Sequence, residues 1–296
     1  MTNGSASALV FLGIPSLAAL IVGLLAVAAF VAERELGSSH RVAVRRGLWS
    51  GLFASGWAGL TLLIAERGLL SRFELRPPPL LALLVLTMIF AVALARSRFG
   101  ERLLLGLPLW ALVGFQTFRL PVELVLHRAA VDGTMPIEMS FSGYNFDILS
   151  GASALLLGTA LAFGWAGSRA ALIWNIGGLL LLCNIIGIAV AATPIFQAFG
   201  PNHLNVWVTK PPYVLLPTVL VMAALFGHVL VFRKLRWLRR QRLEARVQRI
   251  AIISARFDGR RLDHGFARDR LAHRARRRHL PFPSLTLRVE GSFERL

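Results

Sequence analysis

Cysteine and acidic residues are scarce in this 296-residue chain. Its one cysteine, Cys183, excludes an intrachain disulfide and any zinc site built on paired cysteines. Fifteen acidic residues stand against 33 Lys and Arg, a formal net charge of +18. The HExxH, GxSxG, P-loop and Rossmann patterns are also missing, which argues against familiar metalloproteases, hydrolases and nucleotide-driven proteins. We therefore predict no metal site and no cofactor, and no catalytic motif identifies an enzyme.

Long apolar runs dominate what is present. The mean hydropathy is +0.62, and 55% of the residues are hydrophobic. A bilayer core about 30 Å thick needs roughly 20 apolar residues per helix. The chain is therefore predicted to be all-α, a polytopic transmembrane helix bundle over residues 1–232 with a basic tail over 233–296. About seven spans are expected: 8–32, 47–65, 78–95, 103–126, 148–166, 170–192 and 213–232.

Basic residues concentrate in alternate connections between these spans. Cytoplasmic loops carry an excess of Lys and Arg, so this bias predicts the N-terminus outside and the C-terminus inside, as a multi-pass protein of a bacterial cytoplasmic (inner) membrane. The connection between the second and third spans, which holds three arginines, runs against the trend. The basic residues that agree with this orientation are Arg34, Arg41, Arg45, Arg46, Arg96, Arg98, Arg102 and Arg169.

The tail after position 232 carries 19 Lys and Arg against 6 Asp and Glu. Apolar residues at roughly helical spacing in its first part predict a basic amphipathic helix, which should contact anionic lipid of the inner leaflet. The last part is predicted to be disordered. Nucleic acid is a disfavoured partner, because aromatic residues do not interleave with the arginines and no binding motif is present.

The segment 115–151 places ionisable residues in and beside the fourth apolar run. At about 100° per residue, Gln116, Arg119, Glu123 and His127 fall within roughly 80° of one helix face. The i,i+4 spacing allows two ion pairs on this face, Arg119 with Glu123 and Glu123 with His127. Ionisable groups at membrane depth are costly and by default mark a functional site.

Three polar residues of the following loop complete the candidate set. Tyr144, Asn145 and Asp147 stand directly before the fifth apolar run, on the predicted outer side. We expect an outer-side cavity that binds or transports a polar or anionic small molecule or lipid headgroup, with Arg119 as its anchor. The ligand-binding candidates are Gln116, Arg119, Glu123, His127, Tyr144, Asn145 and Asp147.

Several alternatives stay open at the level of sequence. Arg119 could neutralise Glu123 or Asp147 and only hold helices in register, or the helix could leave the membrane near Leu120. A membrane enzyme acting on a lipid-linked substrate would use Glu123 or Asp147 as its general base and Arg119 to stabilise negative charge. An accessory subunit would turn the polar face toward a membrane protein partner.

Polar residues in the last two spans give weaker signals. Asn175 and Asn184 are nine residues apart and project to opposite faces, which favours separate interhelical hydrogen bonds. His228 is predicted to be a satisfied histidine near the inner interface. Small residues at every fourth position of the second and fifth spans predict close helix packing, within the chain or in a dimer.

The central 120 residues resemble a group of small bacterial multi-span membrane proteins that have no assigned activity. The group carries an F-R-x-P-V-E-L segment, matched here by Phe118, Arg119, Pro121, Val122 and Glu123. Its G-x-N-F-D-I-L-[ST]-G loop is matched by residues 143–151, and Trp174, Asn175, Asn184 and His228 fit its later spans. The resemblance implies membrane class and the location of the site. The long arginine-rich tail departs from the group.

Overall fold

Nine α-helices make up the computed structural model of the chain, which describes residues 7–257. Short 3₁₀ turns lie at Leu69–Ser71, Phe115–Phe118, Ile137–Met139 and Trp207–Thr209, and a π-helical turn at Leu216–Leu220. No strand occurs in this part of the chain, and the all-α prediction is confirmed. The helices are α1 Ala8–Glu35, α2 His40–Glu66, α3 Pro79–Arg96, α4 Arg98–Gly106, α5 Leu109–Gly114, α6 Arg119–Val131, α7 Ile148–Ala162, α8 Ser168–Ala191 and α9 Val221–Phe257.

Six helical segments among the described residues are long and apolar enough to cross a membrane. They include α1, α2, α3 and α8, the segment Leu109–Val131, and the segment Leu216–Ile250. The predicted span 148–166 corresponds to α7, which has only 15 residues. The polytopic helical bundle is thus established, whereas the count of seven spans stays a prediction.

The predicted fourth span, 103–126, is not one continuous helix. Residues 103–106 belong to α4, which ends before the extended Leu107. Pro108 causes this break, because the residue before a proline is pushed out of the helical region. A 3₁₀ turn then separates α5 from α6, so Pro121 lies in the first turn of α6 rather than in a helix interior.

Small residues bring helices into close contact, as their spacing predicted. Ser150, Ala154 and Gly158 of α7 are buried, and a Cβ at Gly158 would lie 3.0 Å from the Cα of Gly114. In α2 only the first part of the small-residue row is used, where a Cβ at Gly47 would meet the Ala26 carbonyl at 2.9 Å. Both contacts lie within the chain, so no dimer is needed to explain them.

Contacts between loops and termini define two ends of the bundle. At one end, which we call the loop end, the Ser7 amide donates to Asp132 at 3.2 Å, and His203 pairs with Glu138 across the two long loops, 132–147 and 192–215. At the opposite end, Lys234 Nζ donates to the Leu104 carbonyl at 2.7 Å. Both long loops therefore lie at the same end as Ser7.

The last helix continues without interruption through position 232 to Phe257. The predicted end of the last span at 232 is therefore not a helix end, and the predicted helix in the basic tail is part of α9. Residues 239–250 are all exposed, including Leu243, Val247 and Ile250. The predicted disordered region lies in 258–296, outside the described residues.

Candidate functional site

The start of α7 is held against the start of α6 because Gly151 has no side chain. A Cβ at this position would collide with backbone atoms of Arg119 and Leu120. Asp147, one turn before Gly151, is the N-cap residue of α7. Close packing of the two helix starts therefore brings Asp147 to Arg119, although 28 positions separate them in the sequence.

Arg119 and Asp147 form a two-pronged ion pair inside the bundle. The Nε of Arg119 donates to Oδ2 of Asp147 at 2.7 Å, and its Nη2 donates to Oδ1. Arg119 is 2% exposed and Asp147 5%. Parallel N–H···O bonds of this kind fix both position and orientation of the two groups. Neither predicted i,i+4 pair of α6 forms. Among residues 7–250, no cationic side chain lies within 4.0 Å of the Glu123 carboxylate.

A histidine and a carbonyl occupy the other end of the guanidinium. The Nη1 of Arg119 donates to Nε2 of His228 at 2.9 Å and to the Gly178 carbonyl at 3.3 Å. Because arginine has no acceptor, Nε2 of His228 must accept, and its proton must sit on Nδ1. That Nδ1 donates to Oδ1 of Asn175 at 2.9 Å, while Asn175 Nδ2 donates to the His228 carbonyl at 3.1 Å. His228 is therefore a neutral imidazole.

The imidazole of His228 can pack against α8 because position 178 is a glycine. A Cβ there would lie 2.8 Å from Cε1 of His228. The neighbouring Gly177 has nothing within 4 Å of such an atom. One glycine of the pair is thus required by the imidazole, and the other is not.

Asn145 connects the second carboxylate, Glu123, to the loop. Its Nδ2 donates to Oε2 of Glu123 at 2.7 Å and to the Met139 carbonyl at 3.0 Å. Its Oδ1 accepts from the Asp147 amide at 3.0 Å. Both N–H groups and the oxygen of this fully buried amide are hydrogen-bonded within the protein, so Asn145 positions Glu123 and Asp147.

A cavity of about 90 Å³ lies beside these charged groups. Apolar side chains of α3, α6, α8, the π-helical turn and the start of α9 make most of its wall, among them Leu84, Val122 and Leu220. Arg119, Glu123 and Asp147 also line it. At about 10–15 Å³ for each water, the space is large enough for several water molecules or a small ligand.

Asn205 and Thr193, from the long loop 192–215, add further polar lining to the cavity. Asn205 is 2% exposed, and its Nδ2 donates to the Ala189 carbonyl at 3.0 Å. Its Oδ1 is buried and has no hydrogen-bond partner among residues 7–257. An unmatched buried acceptor is costly, so this residue of the cavity lining has an acceptor that a ligand could satisfy.

The structure brings together four of the seven sequence candidates: Arg119, Glu123, Asn145 and Asp147. Gln116 is fully buried but does not line the cavity, and its Nε2 donates to the Ala224 carbonyl at 2.9 Å. The other two candidates lie apart from the cluster. His127 contacts Phe141 and Ser142. Tyr144 is 59% exposed and stacks on Phe199.

Sequence reasoning missed three members of the site. His228 was predicted near the inner interface, yet it is completely buried and bonded to Arg119. Asn175 makes the expected interhelical bond, to the imidazole and carbonyl of His228. Asn205 gave no sequence signal beyond being a polar residue of the second long loop. Spacing along one helix relates residues of that helix only, so it could not show that α6, α7, α8 and α9 meet at one point.

The described residues contain no group of three His, Cys, Asp or Glu side chains that could hold a metal ion. What the geometry offers is a fixed ion pair, a second carboxylate and an unmatched acceptor around an apolar space.

Comparisons with protein-family models, curated proteins and solved structures find no match to this chain. The case for a function therefore depends on the geometry of the site.

Proposed function

We propose that this membrane protein binds a small amphiphilic molecule in the cavity between α3, α6, α8 and α9, as a binding or transport-type protein. One observation carries the proposal: a buried cluster of charged side chains lines an otherwise apolar cavity. Ligand sites combine this predominantly apolar wall with a few placed polar groups. A cluster that served only to hold helices together would not need a cavity beside it.

The structure changes the role we assign to Arg119. Nε and Nη2 are engaged by Asp147, and Nη1 by His228 and Gly178. An anionic headgroup would have to displace Asp147 from a buried ion pair. We therefore propose that Arg119 holds the site together and that Glu123 faces the ligand. The same engagement removes support from the alternative of an enzyme that uses Arg119 to stabilise developing negative charge.

Binding of six-carbon probes tests this proposal. Hexan-1-ol, hexylammonium and hexanoate share one chain and differ only in the head. We expect the protein in lipid nanodiscs to bind at least one of them saturably in equilibrium dialysis, above the uptake by empty nanodiscs. Ala189→Leu places three extra carbons in the cavity wall and should abolish this binding.

Cys183→Leu is the matched control, because Cys183 lies on the exposed side of the same helix. This variant should bind the probes as the native protein does. Absence of saturable binding of all three probes, together with no small molecule that co-purifies with the protein, would refute the proposed function.

We further propose that the loop end faces the outside of a bacterial inner membrane and that the basic part of α9 contacts anionic lipid on the inside. The distribution of Arg and Lys supports this orientation. In a Cys183→Ser background, an impermeant thiol reagent applied to intact cells should label Asn202→Cys but not Glu35→Cys, two exposed positions at opposite ends. The reverse pattern would invert the orientation.

A further inference from the structure

The cavity lacks a positive charge to match Glu123. The single positive charge of Arg119 is paired with Asp147, and His228 is neutral because its Nε2 accepts from Arg119. Glu123 receives one hydrogen bond, from the neutral amide of Asn145. With both carboxylates ionised, the cluster would carry a net charge of −1 in an apolar surrounding, which is a costly state.

The elements packed against α6 supply no further cation to Glu123. Of the basic residues in the loop 192–215, His203 pairs with Glu138 of the 3₁₀ turn 137–139, and Lys210 is exposed. His127, one turn along α6, bonds to Ser142 and stacks on Phe141. The charged residues of α1, α3 and α8 lie at the helix ends opposite the loop end: Glu33, Arg34, Glu35, Arg96 and Arg169. Cys183, in the middle of α8, is exposed.

Two residues that line the cavity therefore have acceptor groups without a matching partner. The Glu123 carboxylate lacks a cation, and Oδ1 of Asn205 lacks any partner in the described part of the chain. Glu123 lies one turn beyond Arg119 on α6, toward the loop end, and Asn205 bonds to the Ala189 carbonyl near the end of α8. A carboxylate and an amide oxygen, with no free donor group opposite them, are suited to a ligand head that donates hydrogen bonds and carries positive charge.

From the unpaired carboxylate of Glu123 and the unpartnered Oδ1 of Asn205, both on the wall of one apolar cavity, we infer that the site takes an organic ammonium ion in exchange for a proton. The inference rests on the proposed function and names its ligand class. Without ligand, Glu123 is a neutral carboxylic acid. When an alkylammonium ion enters, the O–H bond of Glu123 breaks, its proton leaves to solvent, and the ammonium N–H groups donate to the carboxylate. One positive charge enters for each proton released, and no other bond changes.

Calorimetric titration of the nanodisc-embedded protein with hexylammonium tests the exchange directly. Titrations at one pH in phosphate and in Tris, which differ in their heats of ionisation, report the number of protons released. We expect about one proton per hexylammonium bound, and an affinity that rises about tenfold for each pH unit over the range in which Glu123 is protonated. Hexan-1-ol should bind without proton release, and hexanoate should bind at least about tenfold more weakly than hexylammonium.

Glu123→Gln removes the exchangeable proton and keeps the shape of the side chain. This variant should lose proton release and bind hexylammonium at least about tenfold more weakly, while it retains hexan-1-ol. Glu101→Gln, a change of an exposed carboxylate on α4, should behave as the native protein. Proton counting on the native protein stands by itself if Glu123→Gln does not fold.

The outcomes separate the two proposals. If none of the three six-carbon probes binds, the inference is overturned, and the proposed function fails with it when no small molecule co-purifies with the protein. Binding of hexan-1-ol alone would keep the cavity as a ligand site. The exchange is overturned if hexanoate binds as tightly as hexylammonium, or if hexylammonium binds without proton release.

Discussion

Replacing Arg119 with leucine should lower the free energy of unfolding by about 3–5 kcal/mol. Removal of one partner of a buried ion pair leaves the other charge without compensation, and this loss exceeds the net contribution of the intact pair. In Arg119→Leu, Asp147 would remain 5% exposed without its guanidinium, and Nε2 of His228 would lose its donor. The measurement is the equilibrium unfolding of the protein in detergent by a denaturing surfactant.

The double variant Arg119→Leu/Asp147→Leu separates lost charge pairing from lost packing. Exchanging both members of a buried pair for apolar residues is often neutral or stabilising, so the double variant should be more stable than Arg119→Leu alone. Arg98→Leu is the surface control and should stay within about 0.5 kcal/mol of the native protein. Native-like stability of Arg119→Leu would show that the pair contributes nothing to the bundle.

Asn145→Ala should be the second strongly destabilising change, by about 3 kcal/mol. Three buried groups lose their partner at once: Oε2 of Glu123, the Met139 carbonyl and the Asp147 amide. Each buried polar group left unsatisfied costs about 1–3 kcal/mol. The same surfactant unfolding measures the loss.

Asn184→Ala is the matched control for this change. Asn184 is exposed and donates one hydrogen bond, to the Tyr144 carbonyl at 2.8 Å. Its loss should cost no more than about 1.5 kcal/mol, the upper end for a single ordinary hydrogen bond. Equal effects of the two substitutions would contradict the assignment of Asn145 as the residue that joins loop, α6 and α7.

The two residues on either side of this amide show where sequence reasoning reaches its limit. Tyr144 and Asn145 were both candidates, because they occupy the same loop beside the same apolar run. In the structure Asn145 is fully buried, whereas Tyr144 is 59% exposed. Outside a regular helix or strand, no periodic rule assigns a direction to successive side chains, so the path of the loop had to decide it.

Helical periodicity performed well where a regular helix exists. Arg119 and Glu123 point to the same cavity, as their four-residue spacing predicted. Gln116 precedes α6 in a 3₁₀ turn, where the helical angle no longer applies, and it bonds to Ala224 instead. His127 shares the helix but lies one turn further toward the loop end, where Phe141 and Ser142 cover it.

The amino-acid sequence by itself determined that this protein is a helical bundle of the membrane class, because runs of about 20 apolar residues can satisfy their backbone in lipid only as helices. It also located the ionisable residues that such an environment makes costly. The tertiary structure alone decided their partners: Asp147 rather than Glu123 for Arg119, and His228 from α9 on the other side of the guanidinium. Partner choice depends on which helices meet at one depth, and this is set by close contacts such as those at Gly151 and Gly178, which no pattern within one helix contains.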